Sequence, residues 1–204
     1  MNELSKPSFA LATLTDLPNE LLLIVIHDLD NQSLFNLGLT CRRMNTVALN
    51  YFFSKNNIQD PARGYFLFNL LKLPIQTIPA LRSALYMHHL LDSEFILSPG
   101  RKRMSEEVAD LCVLAARLHS IKVFRLSFRY LNNSFHLGRM GVGAADDFMT
   151  WYKSVTGLLD NVLDKSCDNL HIEGGGHFPE LYRGLKQTLR YRPPIGMSSS
   201  SSWF

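Results

Sequence analysis

The chain has 204 residues, of which 46% are hydrophobic and 19% charged, and its formal net charge is only +3. This composition excludes a largely disordered chain, because the apolar content is enough to offset chain entropy. The small charge, with no dense Lys/Arg stripe, gives no support to a nucleic-acid partner. The cysteines Cys41, Cys112 and Cys167 lie too far apart for a disulfide framework or a zinc knuckle, which is typical of a reducing compartment.

The N-terminal segment, residues 1–14, has no basic start followed by a long apolar core, so it predicts no signal peptide and is expected to be flexible. The longest apolar run, Leu21–Ile26, is far too short to cross a bilayer. We therefore expect a protein of the cytoplasm, the nucleus or both, with no membrane partner.

Three short helices are predicted within residues 15–58. The first begins at Pro18, which is tolerated at the start of a helix because its missing N–H would have no partner there, and continues to Leu29. The polar segment Asp30–Ser33 supplies capping side chains for a second helix, Leu34–Leu39. A third helix follows over Cys41–Phe53, and together the three form a small all-α module.

Helix-like and strand-like segments alternate over residues 61–182. The predicted elements are a helix over Pro61–Leu73, a strand at Ala84–Met87, a helix over Ser105–Leu118, a strand at Ile121–Phe128, a helix over Asp146–Asp164 and a strand at Asn169–Glu173. Because helices join the strands, we expect the strands to be parallel. A longer helix over Ile78–Leu91 is the alternative to the first strand.

A weak internal repeat links these units. The triplets Leu81-Arg82-Ser83, Leu118-His119-Ser120 and Asp164-Lys165-Ser166 each precede a predicted strand, at irregular spacing. The repeat predicts a small array of solenoid type, in which each unit buries its apolar face on the next. The expected fold class is therefore mixed α+β and α/β, with a three-helix module followed by a short α/β array of parallel strands.

The end of the chain, residues 193–204, is rich in proline and serine and is expected to be disordered. A solenoid array needs a polar capping element at its last repeat, and the sequence shows none. We therefore interpret the chain as a truncated or mis-predicted version of a longer protein.

The first helix carries six consecutive apolar residues, Leu21–Ile26. A surface helix normally has an apolar stripe about 100° wide, whereas six residues in a row point in every direction around the axis. A module of this size has room to cover only one face, and an exposed apolar patch usually marks a partner site. The residues alone leave open the alternative that the second region of the chain covers the patch.

The spacing of these residues resembles a known family. The residues are Leu17-Pro18-x-Glu20-Leu21-Leu22-Leu23, Leu29, and Leu34-x-x-Leu37-x-Leu39-x-Cys41-Arg42-Arg43, and they resemble the F-box, in register from Leu17 to Ala48. Two positions depart from the family, which often has tryptophan at Met44 and usually has valine at Thr40. The resemblance implies a three-helix docking element that binds a Skp-family adaptor, and through it a cullin, with no cofactor. It implies partner contacts at or near Leu17, Pro18, Leu21, Leu22, Val25, Leu34 and Leu37.

The region after the module resembles the degenerate α/β, leucine-rich-repeat-like portions that follow the F-box in many fungal proteins. Residues 158–175, LLDNVLDKSCDNLHIEGG, are the most similar part. In that family such arrays receive the protein whose ubiquitination is directed. The resemblance therefore implies a substrate adaptor of a cullin-based ubiquitin ligase, in the ubiquitin conjugation pathway, without catalysis of its own and with an unknown protein substrate. The alternatives are an α/β enzyme or metal-binding protein whose N-terminal helices are only structural, and an F-box scaffold outside a ligase.

Candidate metal ligands are few. His171 and Glu173 share one face of a predicted strand and His177 follows closely, but structural zinc needs four ligands and no second pair has a suitable spacing. His88 and His89 point to opposite faces if they lie on a strand, which argues against joint ligation. Solvated residues are the favoured interpretation of both groups.

Other motifs carry even less chemistry. Gly174–Gly176 lacks the Lys-Ser/Thr of a phosphate loop, and Gly138-x-x-Gly141-x-Gly143 lacks a Rossmann context. Cys112 is expected to be buried and inert, and Cys167 has no fixed histidine partner. Asp146-Asp147 complements a helix N-terminus, while Arg101-Lys102-Arg103 is interpreted as solvated surface rather than a nuclear import signal.

Overall fold

The computed structural model describes residues 13–99, 101–128 and 144–173. The predictions made for residues 1–12, for the glycines at 138–143 and 174–176, for His177 and for the tail at 193–204 lie outside the described residues. The elements, in chain order, are a 3-10 turn at Leu14–Asp16, α1 (Asn19–Ile26), α2 (Asn31–Gly38), α3 (Arg42–Lys55), a 3-10 turn at Pro61–Arg63, β1 (Tyr65–Asn69), α4 (Thr77–Ser83), β2 (His89–Ile96), α5 (Arg101–Arg117), β3 (Ser120–Ser127), α6 (Ala144–Asp164) and β4 (Asn169–Glu173).

The first three helices form the predicted module. α1 ends at Ile26, earlier than expected, and Asp30 then caps α2, since its Oδ1 accepts a hydrogen bond from the Ser33 N–H at 2.7 Å. α2 and α3 approach very closely at Gly38, where an added Cβ would lie 2.6 Å from Cδ2 of Leu49. Because Gly38 has no side chain, Leu49 can fill the space between the two helices.

The second region is a four-stranded sheet of order β1-β2-β3-β4, with every neighbouring pair parallel. The helices α4, α5 and α6 pack on one another in chain order beside the sheet. A row of phenylalanine rings crosses three strands on the buried face, with centroids 5.4 Å apart between Phe68 and Phe95 and again between Phe95 and Phe124. Three helices followed by a parallel α/β region confirm the predicted fold class.

Two predicted elements of this region were wrong. Pro61–Leu73 is not a helix, because Gly64 adopts a left-handed backbone (φ +69°) that ends the 3-10 turn and starts β1. The strand residues after it alternate between exposed and buried, with the period of two that a half-buried strand requires. The first predicted strand, Ala84–Met87, is the connection after α4, and the alternative helix over Ile78–Leu91 also fails because α4 ends at Ser83.

A common spacing of core residues recurs at three of the strands. It is Leu90-x-x-Ser93-x-Phe95 in β2, Ile121-x-x-Phe124-x-Leu126 in β3, and Cys167-x-x-Leu170-x-Ile172, which starts just before β4. The last two residues of each set are register partners in the sheet, and all nine side chains are buried or partly buried. The spacing is typical of a parallel array in which each turn adds one strand. The leucine-rich-repeat nature of the array stays a prediction.

The module and the α/β region share one hydrophobic core. Leu34 of α2 and Phe52 of α3 belong to the same buried cluster as Phe66, Leu81 and Leu114 of the second region. The two parts are therefore packed together rather than joined by a bare linker.

Candidate docking surface for a partner protein

α1 has two faces of opposite character. Leu22 and Ile26, four residues apart, are 0% exposed and pack into the core. Leu21, Ile24 and Val25 lie on the other side and are 47%, 70% and 51% exposed. Their spacing of three and four residues places them in one stripe, which we call the α1 ridge. The described part of the chain therefore leaves this ridge uncovered.

The start of α1 is held in place by α3. Nη2 of Arg43 donates hydrogen bonds to the carbonyl oxygen of Leu17 and, at 2.9 Å, to Oδ1 of Asn19. These bonds tie the segment before the ridge to a helix that is anchored in the core. The ridge is thus presented by a fixed backbone, which lowers the ordering cost of binding.

Further apolar side chains are exposed elsewhere in the module. Leu14, before α1, is 40% exposed, and Leu39, just after α2, is 54% exposed. Pro18 is exposed as well. Exposed leucines at these positions add to the apolar surface that the module offers a partner.

Two carboxylates of the module accept hydrogen bonds from backbone N–H groups at the starts of helical segments. Oδ2 of Asp16 accepts from the Thr13 N–H at 2.7 Å, and Asp30 caps α2 as described. Hydrogen bonds from the backbone N–H of Thr13 and of Ser33 lower the pKa of Asp16 and of Asp30, respectively. Both carboxylates are therefore charged at neutral pH, and each accepts a hydrogen bond from a backbone N–H.

Comparison with known families identifies this module. Residues 14–56 match the family model described as F-box-like. The chain carries an F-box-like domain. The match spans α1, α2 and α3 and ends before the α/β region. No curated protein and no solved structure matches the chain. An F-box-like domain implies a substrate adaptor of a ubiquitin ligase of the SCF type, which binds a Skp-family protein, and such adaptors are generally non-catalytic.

The structure sorts the predicted contact residues of the F-box-like domain into two groups. Pro18, Leu21 and Val25 are exposed, and Leu17 and Leu37 are half-buried. Leu22 and Leu34, in contrast, are each 0% exposed, because α1 and α2 turn them towards α3. These two predictions are corrected, since both side chains belong to the core of the domain and not to its surface.

Two exposed residues were not among the predicted contacts: Ile24, which is the most exposed apolar residue of α1, and Leu39. The signal for Ile24 was present in the sequence. Once Leu22 and Ile26 are assigned to the core, the 100° step per residue directs Ile24 away from them. What the sequence did not fix was which pair of the six consecutive apolar residues is buried.

Three histidine rings of the α/β region lie close together. The ring centroids of His88 and His119 are 5.3 Å apart, those of His89 and His119 are 6.0 Å apart, and those of His88 and His89 are 6.3 Å apart. The prediction for His88 and His89 assumed that both lie on a strand, and that condition is not met, because β2 begins at His89 and His88 precedes it. Across the described ranges, no group of three or more His, Cys, Asp or Glu side chains could hold a metal ion.

The remaining candidates have structural roles. Asn161 donates to Sγ of the half-buried Cys112 at 3.2 Å, and burial raises the pKa of the Cys167 thiol, which makes it a poor nucleophile. Arg103 lies on α5 rather than on a loop, and its Nε donates to Oε1 of Glu107 at 3.1 Å. No helix in residues 13–99, 101–128 and 144–173 is both long and apolar enough to cross a membrane.

Proposed function

We propose that this chain recruits a substrate to a cullin-based ubiquitin ligase and docks on a Skp-family adaptor through the α1 ridge. The observation that carries the proposal is the exposure of Leu21, Ile24 and Val25 on an F-box-like domain whose other face is fully packed. Pro18, Leu37 and Leu39 extend the proposed contact on either side of the ridge. The F-box-like domain implies that the protein acts inside the cell, in the cytoplasm, the nucleus or both.

The ridge is large enough to stabilise a complex. Burying an exposed leucine, isoleucine or valine completely contributes about 1.5–3 kcal/mol, and the three ridge residues are about half exposed or more in the chain alone. Their burial offers several kcal/mol before the costs of association are subtracted. Ile24 exposes the largest fraction of the three and is the proposed centre of the contact.

The α/β region has the complementary role of holding the substrate. The mechanism is one of proximity, because a target bound to this region is held near a ubiquitin-charged enzyme at a high effective concentration of acceptor lysines. The shared core and the buried contacts between the two regions support this role, since they fix the substrate side relative to the adaptor side.

Binding of the purified full-length chain to a purified Skp-family adaptor tests docking directly, by isothermal titration calorimetry. We expect Ile24→Asp to weaken binding at least 100-fold, because a carboxylate would be buried in an apolar contact. The matched control is Val113→Asp, which introduces the same charge at a valine 50% exposed on α5. Absence of binding by the parent chain, or equal binding by the two variants, refutes the docking proposal.

Membership of an active ligase needs a second measurement. The chain, the adaptor, a cullin and its RING partner are mixed and separated by size-exclusion chromatography. Co-elution of all components supports the ligase assignment. A stable complex with the adaptor that excludes the cullin instead identifies a scaffold outside the ligase.

A further inference from the structure

The face of the sheet that points away from the helices carries three rows of side chains in register, of which the row at the carboxyl end (Asn69, Ile96, Ser127 and Glu173) is buried at Ile96 and Ser127. The first row is Tyr65, Asp92, Val123 and Asn169, and the second is Leu67, Glu94, Arg125 and His171. Register partners in a parallel sheet point to the same face, and neighbouring strands are about 4.8 Å apart. We call these two rows the outer sheet face.

The β1 side of this face is apolar and exposed. Tyr65 is 61% exposed and Leu67 is 72% exposed, the highest fraction of any large apolar residue in the described part of the chain. Both lie on a strand at the edge of the sheet, and the alternate residues Phe66 and Phe68 are buried. The surface is therefore apolar because large apolar residues occupy the outward positions of β1, and not because the strand is poorly packed.

The next strand places two carboxylates, Asp92 and Glu94, beside these apolar residues. Arg125 forms an ion pair with Asp92, with a second contact of 3.4 Å between its Nη2 and Oδ2 of Asp92. Glu94 is the register partner of Leu67 and is half-buried, and no hydrogen bond or ion pair of its side chain occurs within the described ranges. Because the Asp92 and Arg125 charges cancel, Glu94 leaves the outer sheet face negative in a chain whose net charge is +3.

This arrangement selects a particular kind of ligand. A partner that covers Leu67 and Tyr65 also covers Glu94, and a carboxylate removed from water without a partner is strongly unfavourable. A cation placed over Glu94 offsets that cost and forms a charge-assisted hydrogen bond. A segment that combines an apolar side chain with a nearby cation therefore fits both halves of the surface.

We propose that the outer sheet face binds a protein segment that presents an aliphatic or aromatic side chain within two residues of a lysine or arginine. The apolar side chain contacts Tyr65 and Leu67, and the cation contacts Glu94. This inference rests on the proposed function for the identity of the bound protein as a ubiquitination substrate. The proposed pairing of an apolar side chain with a cation follows from the sheet geometry alone.

The experiment is a selection of phage-displayed random peptides on the immobilised full-length chain. We expect at least a tenfold enrichment of peptides that pair a basic residue with an aliphatic or aromatic one. Leu67→Asp removes the enrichment, and Glu94→Lys reverses the charge preference to acidic peptides. Should Glu94→Lys fail to fold by circular dichroism, Glu94→Gln serves instead and is expected to abolish the preference for basic residues without reversing it.

The outcomes separate this inference from the proposed function. Ile24→Asp is the matched control, since it lies on the α1 ridge and is expected to select the same peptides as the parent chain. Normal selection without adaptor binding refutes the docking proposal alone, whereas normal adaptor binding without enrichment refutes the present one. Three further results also overturn the present inference. They are selection of acidic or purely apolar peptides by the parent chain, a selection that Glu94→Lys leaves unchanged, and a dimer of this chain that Leu67→Asp dissociates.

Discussion

The side-chain amide of Asn45 in α3 donates a hydrogen bond of 3.0 Å to the main-chain carbonyl of Ser83, at the last residue of α4. The same amide donates to the carbonyl of Gly38 at 2.9 Å, and its oxygen accepts from the Leu85 N–H at 2.9 Å. Asn45 is only 5% exposed. One buried side chain thus joins the F-box-like domain to the α/β region and helps to fix the α1 ridge relative to the outer sheet face.

We expect Asn45→Ala to lower the free energy of unfolding by about 1–3 kcal/mol, because it leaves a buried backbone group at Gly38 and partly buried ones at Ser83 and Leu85 without their partner. Asn45→Asp should cost more, since it keeps the shape but turns a carboxylate oxygen towards two carbonyl oxygens. Urea denaturation measures both. The control is Asn50→Ala on the exposed side of α3, expected within ±0.5 kcal/mol of the parent. Equal effects at Asn45 and Asn50 would contradict the role assigned to this contact.

A second prediction concerns two apolar residues of α1 that lie two positions apart. Leu22 is 0% exposed and Ile24 is 70% exposed. We expect Leu22→Asp to cost several kcal/mol or to prevent folding, because it buries an unpaired charge, while Ile24→Asp stays within about 0.5 kcal/mol of the parent. Thermal unfolding followed by circular dichroism compares the two. A large loss of stability in Ile24→Asp would mean that the ridge is covered in the folded chain.

The sequence predicted the elements whose signals are local. Six apolar residues in a row marked α1, and period-two alternation marked β3. The capping segment Asp30–Ser33 indicated α2, although the helix begins at Asn31 and not at the predicted Leu34. The order of helices and strands then predicted parallel pairing, because a strand that returns through a helix has few other arrangements. The F-box motif added the expected kind of partner, a Skp-family adaptor, which the apolar run alone could not indicate.

What the sequence left open depends on packing between distant segments. Packing against α3 determines that Leu22 and Ile26 are the buried pair of the apolar run. α3 begins more than a dozen residues later in the chain. β1 was not predicted because its aromatic run is also compatible with a buried helix. The residue that decides between the two is Gly64, whose left-handed backbone lies against β2, a contact that the sequence alone does not show. The outer sheet face could not be assembled without β1, so its combination of Leu67 and Glu94 was not foreseen.

The close contact at Gly64 leads to a third prediction. An added Cβ would lie 2.6 Å from the carbonyl oxygen of His89 and 2.9 Å from the backbone nitrogen of Leu91, and φ is +69°. Gly64→Ala is therefore expected to lower the free energy of unfolding by at least about 2 kcal/mol. Alanine is strained in the left-handed conformation, and its Cβ would displace the backbone of β2. Gly157→Ala in α6 is the control, where the nearest atom is Sγ of Cys112 at 3.9 Å and a gain of about 0.5–1 kcal/mol is expected. Chemical denaturation that ranks the two variants in the opposite order would refute the assigned backbone geometry.

The fourth prediction concerns the cap of α2, where hydrogen bonds from Ser33 hold the pKa of Asp30 below its ordinary value of 3.8. A carboxyl group with a lowered pKa in the folded state stabilises the protein above the unfolded pKa, and this contribution is lost as the pH falls through the folded pKa. Asp30→Asn keeps a side-chain oxygen that caps the helix but removes the titrating charge. We therefore expect the parent chain to exceed Asp30→Asn in free energy of unfolding by a constant amount between pH 7 and pH 5. Urea titrations at lower pH should show this difference shrinking once the pH falls below 3.8. Every other carboxyl group titrates in both proteins, so a difference that stays constant down to pH 2 would show that the Asp30 charge does not contribute to the stability of the cap.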